Sequence, residues 1–157
     1  YHITNFQAIL LGSDQGRKVY SKKLFSLVER YSLTKKIKFI NHCKEMPLAY
    51  SLSDVVVSAS IEPEAFGRVA IEAQSMEKPI IASDIGGSRE TIIDETTGFL
   101  FKAGDVNSLS EKLSHVFDLD RNTLKSMGNS GRENVIKKFN VEKMCFSTYS
   151  EYIKLIS

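Results

Sequence analysis

Glu64 and Glu72 stand eight positions apart in the segment SIEPEAFGRVAIEAQSMEKPIIASDIGGSRE, residues 60–90. Phe66-Gly67 lies between them, and Gly86-Gly87 with Glu90 follows downstream. A carboxylate is an acceptor for vicinal hydroxyls. Gly67 falls where a helix carrying Glu72 begins, and the backbone N–H groups of a first helical turn favour an anion such as a phosphate. With no side chain at Gly67, a ligand can approach that backbone closely. Eight residues of helical rise span ~12 Å, about the length of a unit with a hydroxyl-bearing ring on each side of a diphosphate. The spacing thus suits two acceptors and a helix start gripping one elongated anion. Two glutamates eight apart are also common without a ligand, since the helix dipole stabilises acidic residues near its start. The pair alone decides nothing, and the case rests on its surroundings.

Those surroundings must be built by strands and helices in alternation. FQAILL (6–11), IKFI (37–40), DVVVS (54–58), PIIAS (79–83) and GFLF (98–101) are short apolar runs that read as strands, the first of them as a buried parallel strand. Helices are predicted over 17–31, 46–52, 69–76, 89–93, 105–117, 121–138 and 140–156. Leu24, Leu27, Val28 and Tyr31 share one face of the first. Leu109, Leu113, Val116 and Phe117 form the stripe of the helix that Asp105 is placed to cap. Alternating strands and helices predict an α/β fold: a Rossmann-like, doubly wound parallel sheet, 1–157 as a single domain, binding its ligand at the carboxyl ends of the strands.

Composition narrows the classes. The chain has 157 residues, 42% hydrophobic and 25% charged, enough for one sizeable core. A net charge of +2 gives no case for nucleic acid. From Arg121 onward there are seven Lys/Arg against three Glu, which reads as a solvated helix face, with contact to an anionic membrane surface as the lesser reading. Cys43 and Cys145 form no C-x-x-C pair, which argues against zinc. Free thiols suit a reducing compartment, and Cys145, in an apolar helical pattern, reads as a small core residue. No run reaches the length of a membrane span. YHITNFQAILLG lacks the basic segment of a signal peptide and enters a strand almost at once, so the chain reads as a piece of a larger protein.

The motifs SxxxEAFGRVAIEA, KPIIASDIGGSRE and TGFLFKAGD resemble the C-terminal domain of the retaining GT-B glycosyltransferases, glycosyltransferase family 4 (group 1). The likeness takes in ILLGSD, IKFINH, SDVVVSAS and the closing helices with Arg132 and Phe139, so it covers essentially the whole chain. It implies one half of a GT-B architecture: a donor-binding domain whose N-terminal acceptor domain is absent here. The implied activity is retaining transfer of a glycosyl group, as a hexosyltransferase, from a UDP-, GDP- or ADP-sugar, without cofactor or metal. Synthesis of polysaccharide, lipopolysaccharide or glycolipid for a bacterial cell envelope is implied, in the cytoplasm or peripherally at the inner membrane face through the absent domain.

Residue by residue, the resemblance makes Glu64 the catalytic-site acceptor for hydroxyls of the transferred sugar and Glu72 the ribose acceptor. Phe66, Gly67, Arg68 and Val69 supply backbone around sugar and phosphates. Asn41, His42 and Cys43 lie in a loop against the base, and Gly12 with Ser13 ends the neighbouring strand. Three departures stand out. Asn41 replaces a frequent glycine. Glu77 stands where a glycine often ends the helix, which implies a left-handed residue at a cost of ~1 kcal/mol, or a different turn. The family's Arg/Lys diphosphate clamp, G-R-x-x-x-x-K-G, has no match. The alternatives are a non-catalytic nucleotide-binding module of the same fold, or another GT-B-like enzyme such as an epimerase or phosphorylase.

Other candidates are weaker. Gly12-Ser13-Asp14-Gln15-Gly16 is not G-x-G-x-x-G. Asp118-Leu119-Asp120 follows an amphipathic helix and reads as helix-end chemistry rather than a metal motif. His2, His42 and His115 lack ligand spacing. Glu90 reads as a cap or a support for the glycine turn. Tyr149, Tyr152, Ile153 and Ile156 form an apolar stripe on the last helix, read as core, with exposure in a lone domain as the alternative.

Overall fold

A computed structural model describes residues 5–156. His2 and the start of the N-terminal stretch lie outside the described residues. Five strands alternate with seven helices among them: β1 (Ala8–Leu11), α1 (Lys18–Arg30), β2 (Ile37–Ile40), α2 (Met46–Ser51), β3 (Val56–Ser58), α3 (Arg68–Ser75), β4 (Ile80–Ser83), α4 (Ser88–Thr91), β5 (Gly98–Phe101), α5 (Val106–Asp118), α6 (Arg121–Lys138) and α7 (Val141–Ile156). All the strand pairs are parallel, as expected of an α/β fold. The ladders make two sheets, β1-β2 and β3-β4-β5. The chain divides into two compact units, one ending at Ala49 and one beginning at Tyr50.

In the first unit β1 pairs with β2 in the register Ala8 to Ile37 through Leu11 to Ile40. Phe25 of α1 packs on Phe39 of β2 with ring centroids 4.4 Å apart. β1 is parallel as predicted but not buried: Ile9 and Leu10 are exposed. Consecutive side chains of a strand point to opposite faces, so neither face of β1 is fully covered within this unit.

In the second unit β4 lies between β3 and β5, and all four of its residues are buried. That placement explains the apolar run Ile80–Ala82. Ile81, Phe99, Phe101, Val116 and Met127 form the core, with Leu109, Leu113, Leu119 and Leu124 packed against it. Phe117, assigned to the stripe of α5, is exposed instead. It follows Val116 by one residue, and that step turns it about 100° around the helix, away from the sheet.

Two aspartates start the closing helices. Asp105 accepts from the N–H groups of Asn107 (3.0 Å) and Ser108 (3.1 Å), as its position predicted. Asp120 accepts from Asn122 (2.7 Å) and Thr123 (2.9 Å), so the D-x-D sequence is spent on the junction of α5 and α6. No group of three or more His, Cys, Asp or Glu among the described residues could hold a metal.

Helix α3 is fixed against α6. A Cβ on Gly128 would overlap the Glu77 carbonyl, so only glycine allows this approach. Gln74 is fully buried and donates to the carbonyls of Ala70 (3.2 Å) and Thr91 (3.0 Å). Asn134 of α6 donates to Gln74 (3.3 Å) and to the Thr91 carbonyl (3.2 Å). Arg132 donates to the Ser75 carbonyl at 2.6 Å, satisfying an end of α3 that has no further turn. The C-terminus of α3 is a Schellman turn: Glu77 N–H donates to Gln74 and Lys78 N–H to Ala73, both at 3.0 Å. Glu77 is left-handed there (φ 58°), which the sequence departure had left open.

Helix α7 contains no buried residue among those described. Cys145 is exposed rather than in a core. Tyr149, Tyr152, Ile153 and Ile156 are exposed too. The amphipathic pattern is present, but no element among the described residues covers it. No helix among the described residues is long and apolar enough to cross a membrane.

Candidate functional site

Two segments after the strand ends of the second unit meet: the 60–67 loop that follows β3 and the Gly86-Gly87 turn that follows β4. The Gly87 N–H donates to the Glu64 carbonyl at 2.8 Å. A Cβ on Gly86 would come within 2.5 Å of the Glu64 carbonyl oxygen, and one on Gly87 within 2.5 Å of the Phe66 carbonyl. The Gly-Gly pair is therefore the seat of the loop: side chains at either position would push it off. With its backbone held from below, Glu64 keeps its carboxylate exposed, and Ser60 Oγ donates to Glu64 Oε1 at 2.7 Å. Phe66 stacks edge-on against Phe139, at the end of α6, with centroids 5.8 Å apart.

Gly67 is the residue before α3 and adopts φ 75°, a left-handed conformation suited to glycine. It leaves the helix without a side-chain cap. The first-turn N–H groups of Arg68 and Val69 thus meet no capping oxygen from the N-cap residue, but Gly67 itself is buried against the Gly87-Ser88 backbone, so its missing side chain serves that packing rather than ligand approach.

One helical turn further along, Glu72 is half-buried and held at both oxygens. Tyr50 donates its hydroxyl to Oε2 at 2.9 Å, and Arg68 donates to Oε1 at 3.0 Å. The Arg68 pair is an i,i+4 contact on an arginine with 83% of its side chain exposed. Such a pair contributes little and is easily exchanged for another partner. Tyr50 is 6% exposed. Burial, and then the Glu72 carboxylate beside it, push its phenol far above the ordinary range, so it remains a donor at any accessible pH.

The structure therefore gathers Glu64, Phe66, Gly67, Arg68, Val69 and Glu72 onto one loop-and-helix segment. Gly12, Asn41, His42 and Cys43 belong to the first unit. They lie together at its carboxyl edge: the Gly12 N–H donates to the carbonyl of Ile40, the residue before Asn41, at 2.9 Å. Asn41 and His42 are exposed there and Cys43 is half-buried. Glu90 is exposed in the first turn of α4 and its carboxylate makes no hydrogen bond among the described residues, so the glycine turn is held without it.

Sequence reasoning wrote Ser60 into the motif, four residues before Glu64, without giving it a role, and missed Tyr50 and the seating role of Gly86-Gly87. Tyr50, 22 residues from Glu72, carries no local signal.

Comparisons with known proteins place this geometry. Residues 3–134 match the family described as Glycosyl transferases group 1. The capsular polysaccharide biosynthesis glycosyltransferase CapM of Staphylococcus aureus is 29% identical over 121 residues, covering 75% of this chain and 31% of that protein. The crystal structure of a glycosyltransferase from Rickettsia africae superposes with a TM-score of 0.89 at 30% identity, over 98% of this chain and 41% of the other. Anabaena Alr3699/HepE, crystallised with UDP-glucose, gives 0.85 at 26% identity, over 93% of this chain and 41% of its own. The chain thus spans a third to two-fifths of the length of these relatives. Its α/β architecture of parallel strands matches the Rossmann-like structures of GT-B glycosyltransferases. The family match covers most of the chain and includes both glutamates, the glycine turn and the helix between them, and the chain belongs to the Glycosyl transferases group 1 family.

Proposed function

We propose that this chain is the donor-binding half of a retaining, family 4 hexosyltransferase. It binds a nucleotide-diphospho-sugar, and the acceptor is supplied by an N-terminal domain outside these 157 residues. The observation that carries this reading is the seating of the Glu64 loop on Gly86-Gly87, directly before the start of α3, which has no side-chain cap. Glu64 accepts from hydroxyls of the sugar, and Glu72 accepts from the ribose. The N–H groups at the start of α3 face the diphosphate and stabilise the charge that grows on it as the glycosidic bond breaks. No divalent ion is required for that role. The Anabaena relative crystallised with UDP-glucose makes a uridine nucleotide the first donor to try, ahead of GDP- and ADP-sugars. The resemblance to CapM favours cell-envelope polysaccharide as the product, made in the cytoplasm or at the inner membrane face. The chain alone is inactive, because the acceptor wall and a cationic diphosphate clamp lie elsewhere.

Calorimetric titration of UDP, GDP, ADP and the corresponding glucose conjugates tests the reading. One nucleoside diphosphate should bind clearly more tightly than the others, without added metal. Glu64→Gln in the longer protein should lower kcat by ~10²-fold or more, with a smaller change in nucleotide affinity, as expected of a group acting on the transferred sugar. Full turnover by that variant, or by the 157-residue chain alone, would sink the corresponding part of the proposal.

A further inference from the structure

We propose that Tyr50 is a positioning residue for Glu72: its buried hydroxyl holds Oε2, so that Oε1 is the oxygen offered to the nucleotide ribose, with Arg68 as the exchangeable partner that covers it meanwhile. The inference rests on the reading of Glu72 as the ribose acceptor. The two contacts on this carboxylate differ in kind. The Tyr50 bond (2.9 Å) comes from a residue 6% exposed, whereas the Arg68 bond (3.0 Å) comes from a side chain 83% exposed. Replacing the first means leaving a buried phenol unpaired, which is costly. Replacing the second exchanges one solvated contact for another.

Tyr50 is itself fixed from two sides. Its carbonyl accepts from the Ser53 N–H (3.1 Å) and the Ser53 hydroxyl (2.8 Å). The next carbonyl, that of Ser51, accepts from Lys78 Nζ at 3.0 Å, just past the Schellman turn that ends α3. The backbone at Tyr50 and Ser51 is thus held by Ser53 and Lys78, as a preorganised site requires. A phenol far above its ordinary pKa stays protonated, and so a donor, through neutral and alkaline pH.

The test is discrimination between UDP and its 2′-deoxy and 3′-deoxy forms, measured by calorimetry on the 157-residue chain. Wild type should prefer the ribonucleotide, and Glu72→Ala should abolish the preference. Tyr50→Phe should keep the fold, by circular dichroism, while reducing the preference roughly tenfold, the loss expected when one hydrogen bond to a charged group is removed. Ser53→Ala, which leaves the ring and hydroxyl intact, should reduce it by less. A structural role for Tyr50 would lower the melting temperature without moving the ratio. An unchanged ratio in Tyr50→Phe alongside its collapse in Glu72→Ala overturns the positioning role and leaves the ribose reading standing. An unchanged ratio in Glu72→Ala, or equal affinities in wild type, overturns the ribose reading and the positioning role together.

Discussion

The backbone N–H of Gly87 donates to the carbonyl of Glu64 at 2.8 Å, although 23 residues separate them. This bond ties the loop after one strand to the turn after the next. It turns two strand ends into a single platform, and the side chain that rides on the platform is the acceptor carboxylate. The hydrogen bond is backbone to backbone, so it constrains the residue types only through the space it leaves. That space has no room for a methyl group at Gly86 or Gly87.

Gly87→Ala should therefore be harmful for a steric reason. Gly87 has φ −60°, which any residue adopts, but its Cβ would sit 2.5 Å from the Phe66 carbonyl. Overpacking of this kind typically costs ~1–3 kcal/mol, and the displaced element carries Glu64. Thermal melting should show the lower stability, and donor affinity should fall with it.

Gly67→Ala should separate stability from binding. Here the nearest atom to an added Cβ is 3.6 Å away, so there is room, but φ 75° strains any L side chain. The expected cost is ~1–2 kcal/mol. The new methyl would also face the Gly87-Ser88 backbone, where any shift moves the glycine turn that seats the Glu64 loop, so nucleotide affinity should drop by more than the loss of stability explains. Titration of the folded variant well below its melting temperature is the check.

Glu77→Gly should stabilise. The Schellman turn needs a left-handed residue at this position, and Glu77 supplies it with φ 58°. Glycine relieves ~1 kcal/mol of strain. Opposing it are the greater chain entropy of glycine and the loss of a 3.6 Å ion pair between Arg132 and Glu77, both half-exposed, worth a few tenths of a kcal/mol at most. A net rise in denaturation midpoint is expected; a fall would mean that the ion pair matters more than its exposure suggests.

Acid sensitivity should trace to the two capping aspartates. The Ser108 N–H chiefly, with Asn107 and Lys102, holds Asp105 below the ordinary carboxylate value of 3.8. The Thr123 N–H chiefly, with the Thr123 hydroxyl and the Asn122 N–H, does so for Asp120. A carboxyl whose pKa is depressed on folding stabilises the fold above its unfolded value. That contribution is present above about pH 4 and is lost as pH falls through the depressed value. Asp120→Ala should thus melt earlier than wild type at neutral pH, and the gap should close below pH 4. A gap independent of pH would exclude the charge as its source.

Much of the fold was legible because each strand is short, apolar and bounded by turn residues. IKFI and GFLF were placed to the residue, as was α6. Asp105 was legible as a cap because the motif is local. Burial was less so: an apolar pattern at Ile9, Cys145 or Tyr149 says that a side chain prefers cover, not that this chain provides it. The two glutamates were legible through their neighbours, Gly67 and the Gly86-Gly87 pair. Tyr50 was not, since its tie to Glu72 joins side chains 22 positions apart, and no periodicity encodes that.

The two ends of α3 are built unequally. At one end Gln74, Arg132, Gly128 and the left-handed Glu77 lock the backbone into the unit; at the other Gly67 offers no cap and Arg68 lies in solvent. Local opening should then begin at the Gly67 end, with amide exchange fast at Arg68 and Val69 and slow toward Ser75. An anion seated on that first turn would supply the restraint that the chain withholds. The gradient of exchange along this one helix would flatten on loading, and the bound state would register as a loss of motion rather than as a change of shape.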